Sequence, residues 1–380
     1  MTSKEGFPLE LLNSSIERRI KYFEDYTLAH PHLVTAAERL VTSLNEPSGA
    51  AVIFLFGPTG VGETTLLRRT IQRISDQFLQ ELEKDEDKGR ILFAGFEAPA
   101  PDLRIFSWKD FYIRALESLK DPLVDRSDPL VARTNGPSST KARLRLLLEK
   151  TLQHRRPKLF FFDEAQNLGK VSTAKHLKDQ SDCIKSISNL SKVPILLVGT
   201  YELLYLRNLS AQLCRRSTDV HYPRYRLGSS QDEKIFKNIV LTFQKYLPLE
   251  EEPDLLSSWD FCYERSLGCV GILKDWLSRT LAGVLVNRGK SAVITMADLE
   301  KYAYSLNACS TMLREIQQEE RVLDATISQN ALRIELGLEP IADPQAKVPN
   351  KPPAAGASMP KRVGDPKPKR RKVGDIKDAI

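Results

Sequence analysis

The chain lacks any apolar run near the roughly eighteen residues needed to span a bilayer, which argues against helical channels, transporters and membrane anchors. Its start, MTSKEGFPLELL, has no apolar signal-peptide core, so the expected location is the (bacterial) cytoplasm. Cysteine is sparse. The five residues, Cys183, Cys214, Cys262, Cys269 and Cys309, are odd in number and include no Cys-x-x-Cys pair. That argues against a disulfide framework or a cysteine zinc site and for a reducing compartment. The folded part also has little net charge. The total is +7, but residues 341–380 carry ten Lys/Arg against four Asp, so the preceding 340 residues are close to neutral. The overall basicity is therefore weak evidence that the folded part binds nucleic acid. At 380 residues, 41% hydrophobic and 28% charged, the chain has ordinary soluble composition and room for one large α/β domain with an appendage, or two domains.

One stretch organises the rest. Ala50–Phe56 is an apolar run that reads as a strand buried on both faces. It stops at Gly57-Pro58. Gly60 and Gly62 follow, then a helical pattern with Leu66, Leu67, Ile71 and Ile74 on the apolar side. A strand, a glycine-rich loop and a helix in that order make a phosphate cradle, because glycines let backbone N–H groups converge where the helix aims its positive end. From Gly57 to Thr64 the spacing matches a Walker A loop at every fixed position but one. Glu63 stands where a lysine should reach the outer phosphates. A unit charge pair about 4 Å apart at an effective dielectric near 20 is worth roughly 4 kcal/mol, so the reversed sign opposes binding by several kcal/mol.

Before this stretch, residues 8–45 read as two helices broken at His30-Pro31-His32, a polar turn with Pro31 opening the second helix, or a metal-binding pair for which no third ligand is in view. So placed, the segment can contact an adenine base. After it come a second strand at Arg90–Phe96, an amphipathic helix at Ser107–Leu119 with Trp108, Phe111 and Leu116 as core candidates, a proline-rich loop over 121–139, and a helix at Lys141–Leu152. Leu159–Phe162 then leads into Asp163-Glu164. An apolar strand ending in two acids, a hundred residues past a phosphate loop, is a Walker B pattern. The first acid holds Mg²⁺ beside the Thr64 hydroxyl and the second orients the attacking water as general base. Val193–Thr200 is another buried strand. Its terminal Thr200 has two readings, a γ-phosphate sensor or the cap of the next helix. Arg215-Arg216 has two as well, an arginine finger or a solvated face. So has Lys274, which lies a turn into a helix opened by Gly268 and Gly271: it points at the phosphates or out to solvent. Thr295 reads as an N-cap with Asp298 three residues on. From Pro340 the composition predicts disorder, with a basic cluster at Pro366–Val373.

GPTGVGxTTLL, LFFFDEAQNL, ILLVGT, a paired arginine and GxxGxLK follow one another in the order of an AAA+ ATPase. Within that class, DEAQNL, YFEDYTLAHPHLVTAAERL and FEAPAPDLRIFSWKDFY resemble the TniB/TnsC group, ATPases of DNA transposition that include those of CRISPR-associated transposons. DEAQ is shared with ExeA-like secretion ATPases, so the subgroup rests on the other two strings. The resemblance covers residues 15–285 and implies an α/β P-loop AAA+ fold, a parallel sheet between helices. The divisions it implies are an N-terminal helical segment (1–48), the nucleotide-binding core (49–228), a helical lid (229–310), a peripheral helix (311–339) and the basic tail (340–380). It implies ATP and Mg²⁺ bound between subunits, a homo-oligomeric ring or helical filament on double-stranded DNA, and partners that include the transposase and TniQ-like target-selection proteins. Carried over by position, Gly57, Pro58, Thr59, Gly60, Val61, Gly62, Glu63, Thr64 and Thr65 form the phosphate loop. Thr64 and Asp163 hold the metal, Glu164 the water, Thr200 is the first sensor, Arg215 or Arg216 the finger, and Lys274 the second sensor. DNA contact is expected after the second strand, at Arg104 and Lys109, and directed at the backbone. Glu63 departs from the group and puts ATP binding and turnover by this chain in question.

Overall fold

The computed structural model describes residues 6–45, 52–83, 90–101, 106–120, 137–170, 174–208, 211–324 and 329–339. Five strands form one parallel sheet: β1 (Val52–Gly57), β2 (Phe93–Glu97), β3 (Leu159–Asp163), β4 (Ile195–Thr200) and β5 (Ser217–His221), in the spatial order β2-β3-β4-β1-β5. All run the same way, so their carboxyl ends share one edge. β1 is buried throughout, and its side chains alternate between the two faces of the sheet. Val52, Phe54 and Phe56 join Phe160, Phe162, Ile195 and Leu197 on one face, while Ile53 and Leu55 join Leu196, Val198 and Val220 on the other. Helices α1 (Ile16–Asp25), α2 (Pro31–Asn45) and α3 (Glu63–Glu83) come early in the chain, and α2 and α3 cover the second face through Leu40, Leu66 and Leu67. The first face is covered by α4 (Trp108–Ser118), α5 (Pro137–Arg155), α6 (Ala174–Ser191), α7 (Glu202–Asn208) and α8 (Ala211–Arg215). Trp108 packs only partly buried against that core, whereas Phe111 and Leu116 are wholly inside it. The expected loop ends earlier than its composition suggests, because Pro137 already opens α5; residues 121–136 lie outside the described set.

A second apolar core builds the lid from α9 (Ser230–Tyr246), α10 (Trp259–Ser266), α11 (Val270–Arg288) and α12 (Met296–Tyr302), around Phe236, Phe243, Trp276 and Leu281. Thr295 caps α12 in a reciprocal capping box with Asp298. The amino-terminal segment is not one unit. Phe23 of α1 sits in the lid core, and α2 sits on the sheet. Arg19 explains the attachment. Fully buried, it donates to the carbonyls of Pro248 and Lys290, both in the lid.

The boundary expected at residue 311 falls inside α13 (Leu306–Asp324), and this helix is not peripheral. Its Ile316 is buried with Leu267, Cys269 and Ile272, and its Glu320 pairs with Arg224 at 2.9 Å and with Arg226 at 3.2 Å. Its charged composition conceals this, because the anchoring acid is itself buried. The compact unit runs to Asp324. Beyond it, the described part contains α14 (Gln329–Glu335), where Arg333 donates to the Glu339 carbonyl. The expected disordered tail lies outside the described residues. All five cysteines are free, and among the described residues no helix is long and apolar enough to cross a membrane.

Candidate functional site

β1 ends at Gly57, and the chain turns through Pro58–Gly62 into α3. Gly60 (φ 76°) and Gly62 (φ 111°) occupy the left-handed region, where a side chain would be strained. Gly57 is needed for space, since a Cβ there would lie 2.4 Å from the Tyr222 carbonyl oxygen. The amino terminus of α3 opens at the carboxyl edge of the sheet. Its unsatisfied N–H groups and positive dipole end make that position attractive to an anion.

The sheet order brings the acids to the same place. β4 lies between β1 and β3, so Thr200, paired with Gly57, lies between the loop and the end of β3. The Thr64 hydroxyl donates to Asp163 Oδ2 at 2.9 Å, across 99 residues of sequence. The Glu164 N–H donates to the other Asp163 oxygen at 3.0 Å. Glu164 itself takes a left-handed conformation (φ 52°, ψ 34°) that turns the chain sharply as the strand ends. Its carboxylate accepts a hydrogen bond of 2.7 Å from Gln166 Nε2.

Glu63 points into this hollow. Its Oε1 is out of solvent and has no hydrogen-bond partner among the described residues. Burial, then the charge of Asp163, and further Glu164 and Glu319, push the carboxyl well above its ordinary range; a pull from the Gly57 amide opposes them. A carboxyl so placed holds its proton to higher pH than a solvent-exposed glutamate does. The substitution removes the cation of a phosphate loop and puts in its place a carboxyl whose ionised form burial and the neighbouring acids disfavour.

Beside the cradle is a cavity of about 320 Å³ lined by Tyr26, Thr27 and His30 from the α1–α2 connection, Gly62 and Thr65 from the loop and α3, and Lys274 from the lid. It is of the size that holds a small-molecule ligand. His30 sits in the expected turn before Pro31, but it is not solvated. It is buried, with Nδ1 2.8 Å from the Tyr225 hydroxyl and Nε2 3.1 Å from the Tyr222 hydroxyl. Burial depresses its pKa to about 3, so it is neutral, one nitrogen donating and the other accepting. Tyr222 also provides the oxygen that crowds Gly57, so this network supports the cradle from beneath.

The other sequence candidates do not converge on the hollow. Lys274 lines the cavity, but its ammonium donates to the Phe23 carbonyl at the end of α1 and lies 3.9 Å over the Phe23 ring, and burial lowers its pKa to about 8. Arg215 ends α8 and is exposed. Arg216 Nη1 donates to Asn189, and the Arg216 carbonyl accepts from Val52 at the start of β1. Both arginines are therefore at the opposite edge of the sheet, roughly 17 Å from the cradle at about 3.3 Å per strand residue. In one copy they face away from their own site. Lys109 is exposed in the first turn of α4, and Arg104 lies outside the described residues.

Three elements escaped the sequence reading. Gln166 was legible only as part of the DEAQ string. Tyr222 and Tyr225 carried no motif. The Arg224–Glu320 pair joins residues 96 apart, so no local pattern signals it. The lid presses directly on the loop. The Ile272 N–H donates to the Gly60 carbonyl at 2.9 Å, and Gly271 packs so close that a Cβ would lie 2.4 Å from that same oxygen.

The donor set tests which groups fit. Thr64 and Asp163 are the hard oxygen ligands that Mg²⁺ takes alongside phosphate and water. Among the described residues no group of three or more His, Cys, Asp or Glu side chains is arranged to hold a metal unaided. The cavity and the helix terminus fit a nucleotide, while the position facing its outer phosphates lacks a cation.

An AAA-domain family model matches residues 45–206. No curated protein matches the chain. Among solved structures, similarity extends to the ORC2 protein of Aeropyrum pernix in ADPNP–ADP complexes (14% identity, 75% of this chain and 72% of that one, TM-score 0.46). It extends also to a Walker-type ATPase of Pyrococcus abyssi (14% identity, 75% and 74%, TM-score 0.40) and to the Pif1 helicase of Candida albicans (11% identity, 63% and 48%, TM-score 0.30). With the cradle at the end of β1, the paired acids at the end of β3 and the family match spanning both, residues 45–206 are an AAA-type P-loop ATPase domain.

Proposed function

We propose that the chain is an AAA+ regulator of DNA transposition of the TniB/TnsC kind, with a nucleotide site weakened by Glu63. In this reading it binds ATP and Mg²⁺ at subunit boundaries, oligomerises on double-stranded DNA and recruits a transposase to its target. The observation that carries the ATPase part is the hydrogen bond from Thr64 to Asp163, with Thr200 beside Gly57. The transposition part rests on the strings YFEDYTLAHPHLVTAAERL, DEAQNL and FEAPAPDLRIFSWKDFY. Bound nucleotide and metal supply the electrophilic phosphorus and its charge neutralisation. Of the chain's own groups, Thr64 and Asp163 hold the metal, Glu164 orients water, and Arg215 or Arg216, exposed at the far edge, serve a neighbouring copy.

A second reading, a scaffold that binds DNA and partner proteins without turning over ATP, is favoured by the buried Glu63 carboxyl. One experiment separates the two. The full chain and its Glu63→Lys variant are imaged by electron microscopy with duplex DNA and a non-hydrolysable ATP analogue, and their ATP hydrolysis is measured. The regulator reading expects nucleotide-dependent rings or filaments and hydrolysis from the lysine variant. Assembly of both proteins on DNA regardless of nucleotide, with no hydrolysis, supports the scaffold. A lysine variant that neither binds ATP nor assembles overturns the regulator reading.

A further inference from the structure

One buried side chain touches both the acid that ends β3 and the strand that ends in Thr200. Gln166 is only 6% exposed. Its Nε2 donates to Glu164 Oε2 at 2.7 Å. Its Oε1 is out of solvent and without a partner among the described residues. That oxygen lies over Gly199, where an added Cβ would meet it at 2.0 Å. Gly199 pairs with Phe56 in the sheet and directly precedes Thr200. The same amide therefore restrains an otherwise exposed carboxylate and rests on the backbone next to the sensor position.

We propose that Gln166 is a positioning residue that sets the direction of the Glu164 carboxylate and ties it to β4. The inference rests on the reading of Glu164 as the water-orienting base. An exposed glutamate samples several rotamers, and only some of them place its oxygens where a water can be held. A donor fixed beneath it selects one, and selecting one rotamer removes an entropic cost from the reactive arrangement. Because the other end of the amide lies against Gly199, a displacement of β4 moves the donor, and the carboxylate follows. Glycine at 199 is then a requirement of this link as well as of the strand. Glutamine also fits the chemistry. Leucine has similar bulk and no donor, and glutamate would set two carboxylates against each other.

The test uses the full chain carrying Glu63→Lys as parent, with Gln166→Leu and Gly199→Ala made separately in it. Gly199→Ala attacks the link from the other side. Its methyl collides with the flexible end of Gln166, while the nearest backbone atom, Ala165 N, is at an ordinary 3.4 Å. Both variants should lower kcat for ATP hydrolysis by about 10- to 100-fold, with KM and melting temperature unchanged. Unchanged kcat in either variant, or a fall in kcat accompanied by a fall in melting temperature, overturns the inference while leaving the Glu164 reading intact. If the Glu63→Lys parent does not hydrolyse ATP, the Glu164 reading fails and the inference falls with it.

Discussion

Replacing Glu63 by glutamine should barely change nucleotide affinity near neutral pH, whereas replacing it by lysine should raise affinity about a thousandfold. One carboxyl oxygen is out of solvent and without a partner among the described residues, and Asp163, Glu164 and Glu319 add repulsion, so the neutral form is favoured. Exchange of a neutral acid for a neutral amide alters no charge. A lysine adds one positive charge about 4 Å from the outer phosphates, worth roughly 4 kcal/mol at an effective dielectric near 20, or about three decades in Kd. Had Glu63 been ionised, the glutamine variant alone would recover about 4 kcal/mol and the lysine variant about twice that. Titration calorimetry with ATP and Mg²⁺ on the three proteins distinguishes these cases. A glutamine variant that binds about a thousandfold tighter than the chain as written would refute the reasoning. The same shift has a consequence for stability. A carboxyl raised above its ordinary 4.5 binds more protons folded than unfolded, so its contribution is present at low pH and is lost as pH rises from about 4.5 through its raised value. The slope in that window should vanish in Glu63→Gln, as followed by denaturant unfolding.

His30 should act with the opposite sign. Held neutral down to about 3 against an ordinary 6.5, it favours the fold above pH 6.5 and loses that contribution as pH falls between the two values; unfolding of His30→Gln compared with the parent across this range should lack the loss. Glu320→Ala strands the nearly buried Arg224 guanidinium and should cost about 3–5 kcal/mol in urea unfolding. A cost below about 1 kcal/mol would show that α13 is not anchored there. Thr64→Ala removes a hydroxyl at an exposed helix start, so stability should change by less than about 0.5 kcal/mol. In the Glu63→Lys background, however, it should weaken Mg²⁺-dependent nucleotide binding by about tenfold or more, read by titration with and without the metal.

Much of the loop and of the acid-bearing end of the sheet was readable because each part has a local signature. Gly57, Gly60 and Gly62 announce a loop of unusual backbone freedom, and Asp163-Glu164 end a run of apolar residues that reads as a strand. Other positions were misread for want of neighbours. His30 beside Pro31 reads as a polar turn, and only the fold shows Tyr222 and Tyr225 closing over it. Helix α13 reads as a charged arm until Arg224 and Arg226 neutralise Glu320. Lys274 reads either toward the phosphates or toward solvent, and only the fold shows it lining the cavity with its ammonium on the Phe23 carbonyl.

By itself the sequence determined the parallel α/β core, the phosphate loop, the paired acids and the missing lysine, since periodicity, backbone freedom and charge are properties of short stretches. The tertiary structure alone decided that α1 belongs to the lid, that a Glu63 carboxyl oxygen is shut from solvent near Asp163 and Glu164, and that the Gln166 amide lies between Glu164 and Gly199. Those outcomes depend on solvent exclusion and on contacts between residues far apart in the chain, and neither is written in local sequence.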